Sequence, residues 1–127
     1  LDLQPGTTVP AHSCASGKLF LSQMPKDKRH ALLAQTKMAA LTPNTLTDIN
    51  ELDVELERIN VRNVSIDNEE FVLGITCIAV PIFDDKQNCI AAIAMHGQVA
   101  TTPLTVSLSF IPRLQIAAQA LAKTFGF

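Results

Sequence analysis

Asp67, Glu69, Glu70 and Cys77 bring carboxylates and a thiol into one short stretch, with Gly74 breaking the chain between them. Cys77 lies in the run Ile75 to Phe83, which is too apolar to face water on both sides. A small polar ligand meeting this stretch would find a carboxylate as hydrogen-bond acceptor and a polarizable thiol as wall. Catalysis asks for more: a nucleophilic thiol needs a base within reach, and His12, His30 and His96 are scattered with no spacing that selects one. A free cysteine is by default a small hydrophobe, so Cys77 is expected to be a pocket wall or core. His12, Cys14, Cys77 and His96 are sound zinc ligand types, but no pair has close ligand spacing, so no metal is expected.

Near the other end, Ser16-Gly17-Lys18 ends in GK without being a phosphate loop. His12 stands where the first glycine belongs and Leu19 where a serine or threonine belongs. What remains is a helix start capped by Ser16, with free amides and a nearby Lys18 that suit a carboxylate. An ordinary cap beside a surface lysine is the plainer alternative.

These residues need elements to hold them. A short helix is expected from Ser16 through Leu21, and a second with Pro25 as its first residue, running through Gln35. A third starts near Thr47 or Asp48, with Glu51 completing a capping-box-like pair. It buries Ile49, Leu52, Leu56 and Ile59 and shows an acidic, solvated opposite face. Asn63 suits the left-handed cap beyond it. A strand through Val64 and Ile66 follows, then a hairpin of Ile75 to Phe83 and Cys89 to His96 around Asp84 to Asn88. A four-residue loop pairs Cys77 with Ala94 and puts Cys77, Ala94 and His96 on the face that Asp67 reaches; a five-residue loop opposes Cys77 with Met95. The last element carries Phe110, Leu114, Ala117, Leu121 and Phe125 on one stripe, beginning at or kinked by Pro112. Leu1 to Gly6 reads as the tail of a strand entering a turn at Pro5-Gly6, as if the chain begins inside a larger protein. Together these predict one α/β (α+β) domain, a sheet with helices packed on it.

Composition narrows the function classes. The 127 residues suffice for one self-sufficient core, and ten Lys plus Arg against twelve Asp plus Glu supply no basic field for a nucleic-acid backbone. Three cysteines without CxxC spacing favour free thiols in a reducing cytoplasm over a disulfide framework. Apolar runs stop short of the ~18 residues of a membrane span.

Three motifs in order then resemble a known family: Val9-Pro10-Ala11-His12 leading to Ala15-Ser16-Gly17-Lys18; Leu41-Thr42-Pro43-Asn44-Thr45; and Asp67-x-Glu69-Glu70-x3-Gly74-x2-Cys77-Ile78-Ala79-x-Pro81. Over nearly its whole length the chain is similar to the effector-binding domain of the isocitrate lyase regulator (IclR) family of bacterial transcription factors. The resemblance implies a profilin-like or GAF-like antiparallel sheet with helices packed on it, binding a small organic acid and needing no cofactor. It also implies a homodimer or homotetramer that reaches DNA only through a winged helix-turn-helix upstream of residues 1–127. By position it assigns the pocket to Val9, Ala15, Ser16, Asp67, Cys77, Ala94 and His96, with amides beyond Ser16 taking the effector carboxylate and Asp67 accepting from a hydroxyl or hydrated carbonyl. Ala94 and His96 stand where acid-binding relatives often carry small serines, and Ser16 replaces a smaller residue. The alternatives are a cysteine-dependent enzyme on a GAF-like fold and a dimerisation module with a vestigial pocket.

Overall fold

Along the chain run α1 (Ala15–Gln23), α2 (Lys26–Ala34), α3 (Ile49–Arg62), β1 (Ser65–Asn68), β2 (Ile75–Phe83), β3 (Cys89–Gln98), α4 (Leu104–Leu108) and α5 (Ile111–Thr124). They are described by a computed structural model covering residues 4–127. The expected strand tail at Leu1 to Leu3 lies outside the described residues; the turn after it is present, with Gly6 at φ 89°. The strands form one antiparallel sheet in the order β1-β2-β3. Strand β2 is apolar apart from Thr76 and buried along most of its length, because helices cover both its faces. One face presents Cys77 and Ala79 to α1 and α3, where Leu19, Leu52, Leu56 and Ile59 are fully buried; the other presents Ile78, Val80 and Ile82 to α5. Each such leucine or isoleucine contributes ~1.5–3 kcal/mol by burial. Among the described residues no helix is long and apolar enough to cross a membrane.

Helix α3 follows its sequence signals closely. Asp48 caps it by accepting from the Asn50 and Glu51 amides at 2.8 and 3.1 Å. Asn63 ends it in the left-handed region, at φ 55° and ψ 35°. Its opposite face is not wholly solvated, however, because Asp53 is buried. Arg29 Nε donates to Asp53 Oδ1 at 2.9 Å and His30 Nε2 to Oδ2 at 2.6 Å, so basic residues of α2 dock on α3 through this carboxylate. Burial alone would raise the Asp53 pKa, but the hydrogen bonds from His30 and Arg29 outweigh it and hold the group below its usual range.

Smaller corrections follow from local chemistry. Pro25 is the N-cap of α2 rather than its first residue. Pro112 occupies the first turn of α5, where no amide is missed, so the helix starts there rather than kinking. A separate short helix, α4, precedes it, and Phe125 at the end of the stripe is exposed. The hairpin has a five-residue loop plus a bulge. Asp84 N donates to Asn88 O at 2.9 Å, and Asp84 Oδ1 accepts from the Lys86 and Asn88 amides. Phe83 therefore pairs with Cys89, but Ile82 with Ala91, and Cys77 lies opposite His96 instead of Ala94. The extra bulge residue restores parity, so Cys77, Ala94 and His96 still share a face.

Candidate functional site

Strand pairing sets Asp67 opposite Cys77 and Cys77 opposite His96, forming one row across the sheet. Ala94 lies in the next row, opposite Ala79. Helix α1 starts above these rows. Its N-cap is Cys14, not Ser16: the Cys14 Sγ accepts from the Gly17 amide at 3.3 Å. Ser16 instead sits half-buried in the first turn, beside fully buried Ala15. The amides of Ala15 and Ser16 have no acceptor within the helix. Val9, half-buried, belongs to the segment that enters α1. That segment crosses the helix closely: a Cβ built on Gly17 would lie 2.4 Å from the Ala11 carbonyl oxygen, so only glycine fits there. Asp67 and Cys77 are 3% and 4% exposed, whereas Ala94 and His96 are exposed on the outer strand.

Lys18 corrects both readings offered for it. It is neither a surface residue nor free for a ligand, being 1% exposed with its Nζ 2.7 Å from Glu70 Oε1 and 2.7 Å from the Ile66 carbonyl oxygen. Glu70 Oε2 also accepts from the Asn68 amide at 2.8 Å, and Thr45 Oγ1 donates to the Glu70 carbonyl at 2.6 Å. This ion pair ties α1 to the turn after β1 and so places Asp67.

Asp67 Oδ1 accepts from the Glu70 amide at 2.7 Å. Burial pushes its pKa up to about 6, against the backbone amides of Glu70 and Phe71, which favour the charged form. Burial, reinforced by the Asp67 charge, pushes the Cys77 thiol up to about 12. At neutral pH the Cys77 thiol is therefore protonated. Cys14 is likewise raised by burial. Among the described residues no cluster of three or more His, Cys, Asp or Glu side chains is arranged to hold a metal ion.

The family described as bacterial transcriptional regulator IclR C-terminal matches residues 1–123. The chain belongs to the IclR family. A probable transcriptional regulator of Cupriavidus necator, SauR, is 34% identical to this IclR-family domain over 125 residues, covering 98% of the chain and 50% of SauR. The chain thus spans about half the length of that relative. The Thermotoga maritima IclR structure superposes with a TM-score of 0.87 at 30% identity, covering 100% of this chain and 51% of that one. The inducer-binding domain of the PobR transcription factor from Acinetobacter, a double mutant in complex with 3-hydroxybenzoic acid, gives 0.84 at 27% identity, covering 90% and 66%. The mixed helix-and-sheet fold is that of IclR C-terminal domains.

In this IclR-family domain, two contributors escaped sequence reasoning. Cys14 was legible as a thiol but not as a cap, and Lys18–Glu70 joins residues 52 positions apart. The described surface also holds cavities that Asp67, Cys77 and His96 do not line. One of about 530 Å³, lined by Val80, Phe83, Gln115 and Gln119 among others, lies on the opposite face of the sheet. Another, of about 410 Å³, is bounded by Asn44, Arg62, Asn68 and the Lys18–Glu70 pair.

Proposed function

We propose that this chain is the ligand-sensing C-terminal domain of an IclR-type transcriptional regulator. It binds a small organic acid between the start of α1 and the Asp67–Cys77–His96 row, and the occupancy of that site controls DNA binding by an upstream winged helix. The observation that carries this reading is the cross-strand row itself: a buried carboxylate, a neutral thiol and an exposed histidine lie under a helix start whose first amides lack intrahelical acceptors. In this reading the Ala15 and Ser16 amides hold the effector carboxylate, Asp67 contacts its second polar group, and Cys77 and Ala94 shape the wall. Val9 closes the pocket from the segment before α1, and His96 stands at its open side. The intact regulator works in the cytoplasm as a homodimer or homotetramer and uses no cofactor. PobR, captured with an aromatic acid, supports the choice of ligand class.

The enzyme alternative lacks an activated nucleophile, since burial keeps the Cys77 thiol protonated. A thermal-shift screen with glyoxylate, pyruvate, sugar acids and aromatic acids tests the sensor reading. A ligand at a hundred times its Kd stabilises the fold by ~2.7 kcal/mol, a shift of several degrees for a domain of this size. No shift with any acid would favour a vestigial pocket.

A further inference from the structure

We propose that the acid is bound together with a proton: as the effector's carboxylate arrives, Asp67 passes from carboxylate to carboxylic acid, and one proton is taken up from solvent for each effector bound. This rests on the site assigned under Proposed function and adds to it a charge balance that the geometry requires.

The groups facing Asp67 come from every element around it: Cys14 and Lys18 from the start of α1, Glu70 from the turn after β1, Cys77 from β2 and, beyond it, His96 from β3. Lys18 is the only cation among these groups, and it is already matched, its ammonium lying 2.7 Å from Glu70 Oε1 and 2.7 Å from the Ile66 carbonyl. Among the described residues Asp67 receives backbone amides and the attraction of Lys18, which Glu70 already neutralises, but is paired with no further cation. The two thiols are neutral, held so by burial, and desolvation lowers the His96 pKa, favouring the uncharged ring. Lys18, Glu70 and Asp67 therefore sum to one negative charge before any ligand enters. A monocarboxylate would make this two, around a side chain that is 3% exposed.

Two carboxylates confined in a poorly solvated site do not both stay ionised; one takes a proton, and a protonated Asp67 can donate it to the effector's second polar group. Asp67 is the group to take it, because the effector carboxylate has the α1 amides to stabilise its charge. The free protein is poised for this: burial places Asp67 at about 6, so it is mostly ionised at neutral pH yet close to accepting a proton. Only one O–H bond forms, on an Asp67 oxygen, and the proton comes from water or buffer. The apparent affinity then falls by up to about tenfold per pH unit above Asp67's own pKa, and levels off below it.

Isothermal titration calorimetry of the chain with pyruvate and with 3-hydroxybenzoate, near neutral pH in buffers of different ionisation enthalpy, counts the protons. The expected result is uptake approaching one proton per acid bound, with affinity dropping several-fold to tenfold for each unit of rising pH. Asp67→Asn is expected to bind with no uptake and little pH dependence. Binding by the native chain without proton uptake overturns this proposal and leaves the acid-sensing reading standing; no binding of either acid, together with no thermal shift across the wider screen, overturns both. Should Asp67→Asn not fold, NMR titration of the native Asp67 carboxyl carbon decides the matter. A rise of its midpoint on adding the acid is expected, and an unmoved or lowered midpoint refutes the proposal.

Discussion

Replacing Lys18 by methionine tests whether the buried ion pair organises the site. The Lys18 side chain is 1% exposed, and its ammonium touches two acceptors, Glu70 Oε1 and the Ile66 carbonyl oxygen, each at 2.7 Å. Methionine keeps most of the side-chain volume, so the cavity contribution is small and the loss is electrostatic. It leaves Glu70, whose side chain is 9% exposed, as a buried carboxylate with only the Asn68 amide to stabilise it. Removing one partner of a buried pair costs ~3–5 kcal/mol, and the orphaned carbonyl adds ~1 kcal/mol. Against a total stability of ~5–15 kcal/mol, the variant should be marginal. In urea, with a slope of ~1–3 kcal/mol per molar, the midpoint should fall by about 2 M. Lys18→Met combined with Glu70→Leu should recover most of the loss, because replacing both charges by apolar groups is often neutral. The reasoning is refuted if Lys18→Met costs less than about 1 kcal/mol, or if the double variant loses the sum of the two single losses.

Asp67 should leave a signature in stability against pH. Its folded pKa of about 6 lies above the ordinary unfolded value of about 3.9. Between about pH 4 and 6 the folded chain keeps a proton that the unfolded chain has released, so this group's contribution falls as pH rises through that window and its full penalty remains above about pH 6. The penalty reaches at most about 3 kcal/mol, and Asp67→Asn should lose less stability than the native chain between urea melts at about pH 5 and 8; equal losses would contradict the assignment. Gly17→Ala would gain ~1 kcal/mol in an unobstructed helix. Here the added Cβ meets the Ala11 oxygen and Cα at 2.4 and 2.5 Å, so a net loss of ~1–3 kcal/mol is expected, and a raised Tm would show that the crossing segment does not lie where described.

How much was legible in advance depended on the range of the interaction. Helix α3 was readable because its apolar spacing, its Asp48 cap and its Asn63 terminator are all local signals. The face shared by Cys77, Ala94 and His96 was readable because strands alternate, although the register was not: loop length and a bulge each shift it, and here the two shifts together preserve parity. The cap of α1 was misread because serine is the usual capping residue, and only the fold shows the Cys14 sulfur doing that work. Lys18 and Asp53 escaped for a different reason. A charge is buried only if its partner is close in space, and Glu70 and Arg29 lie 52 and 24 positions away.

The central claim is that a small organic acid binds where the start of α1 meets the Asp67 row, and a ¹H–¹⁵N correlation spectrum recorded during titration with an acid that raises the Tm tests it most directly. The account predicts that the largest shifts fall on Ala15, Ser16, Gly17, Asp67, Cys77 and His96. Shifts clustered instead on Gln115, Gln119 and Phe83, around the cavity on the opposite face, would contradict it.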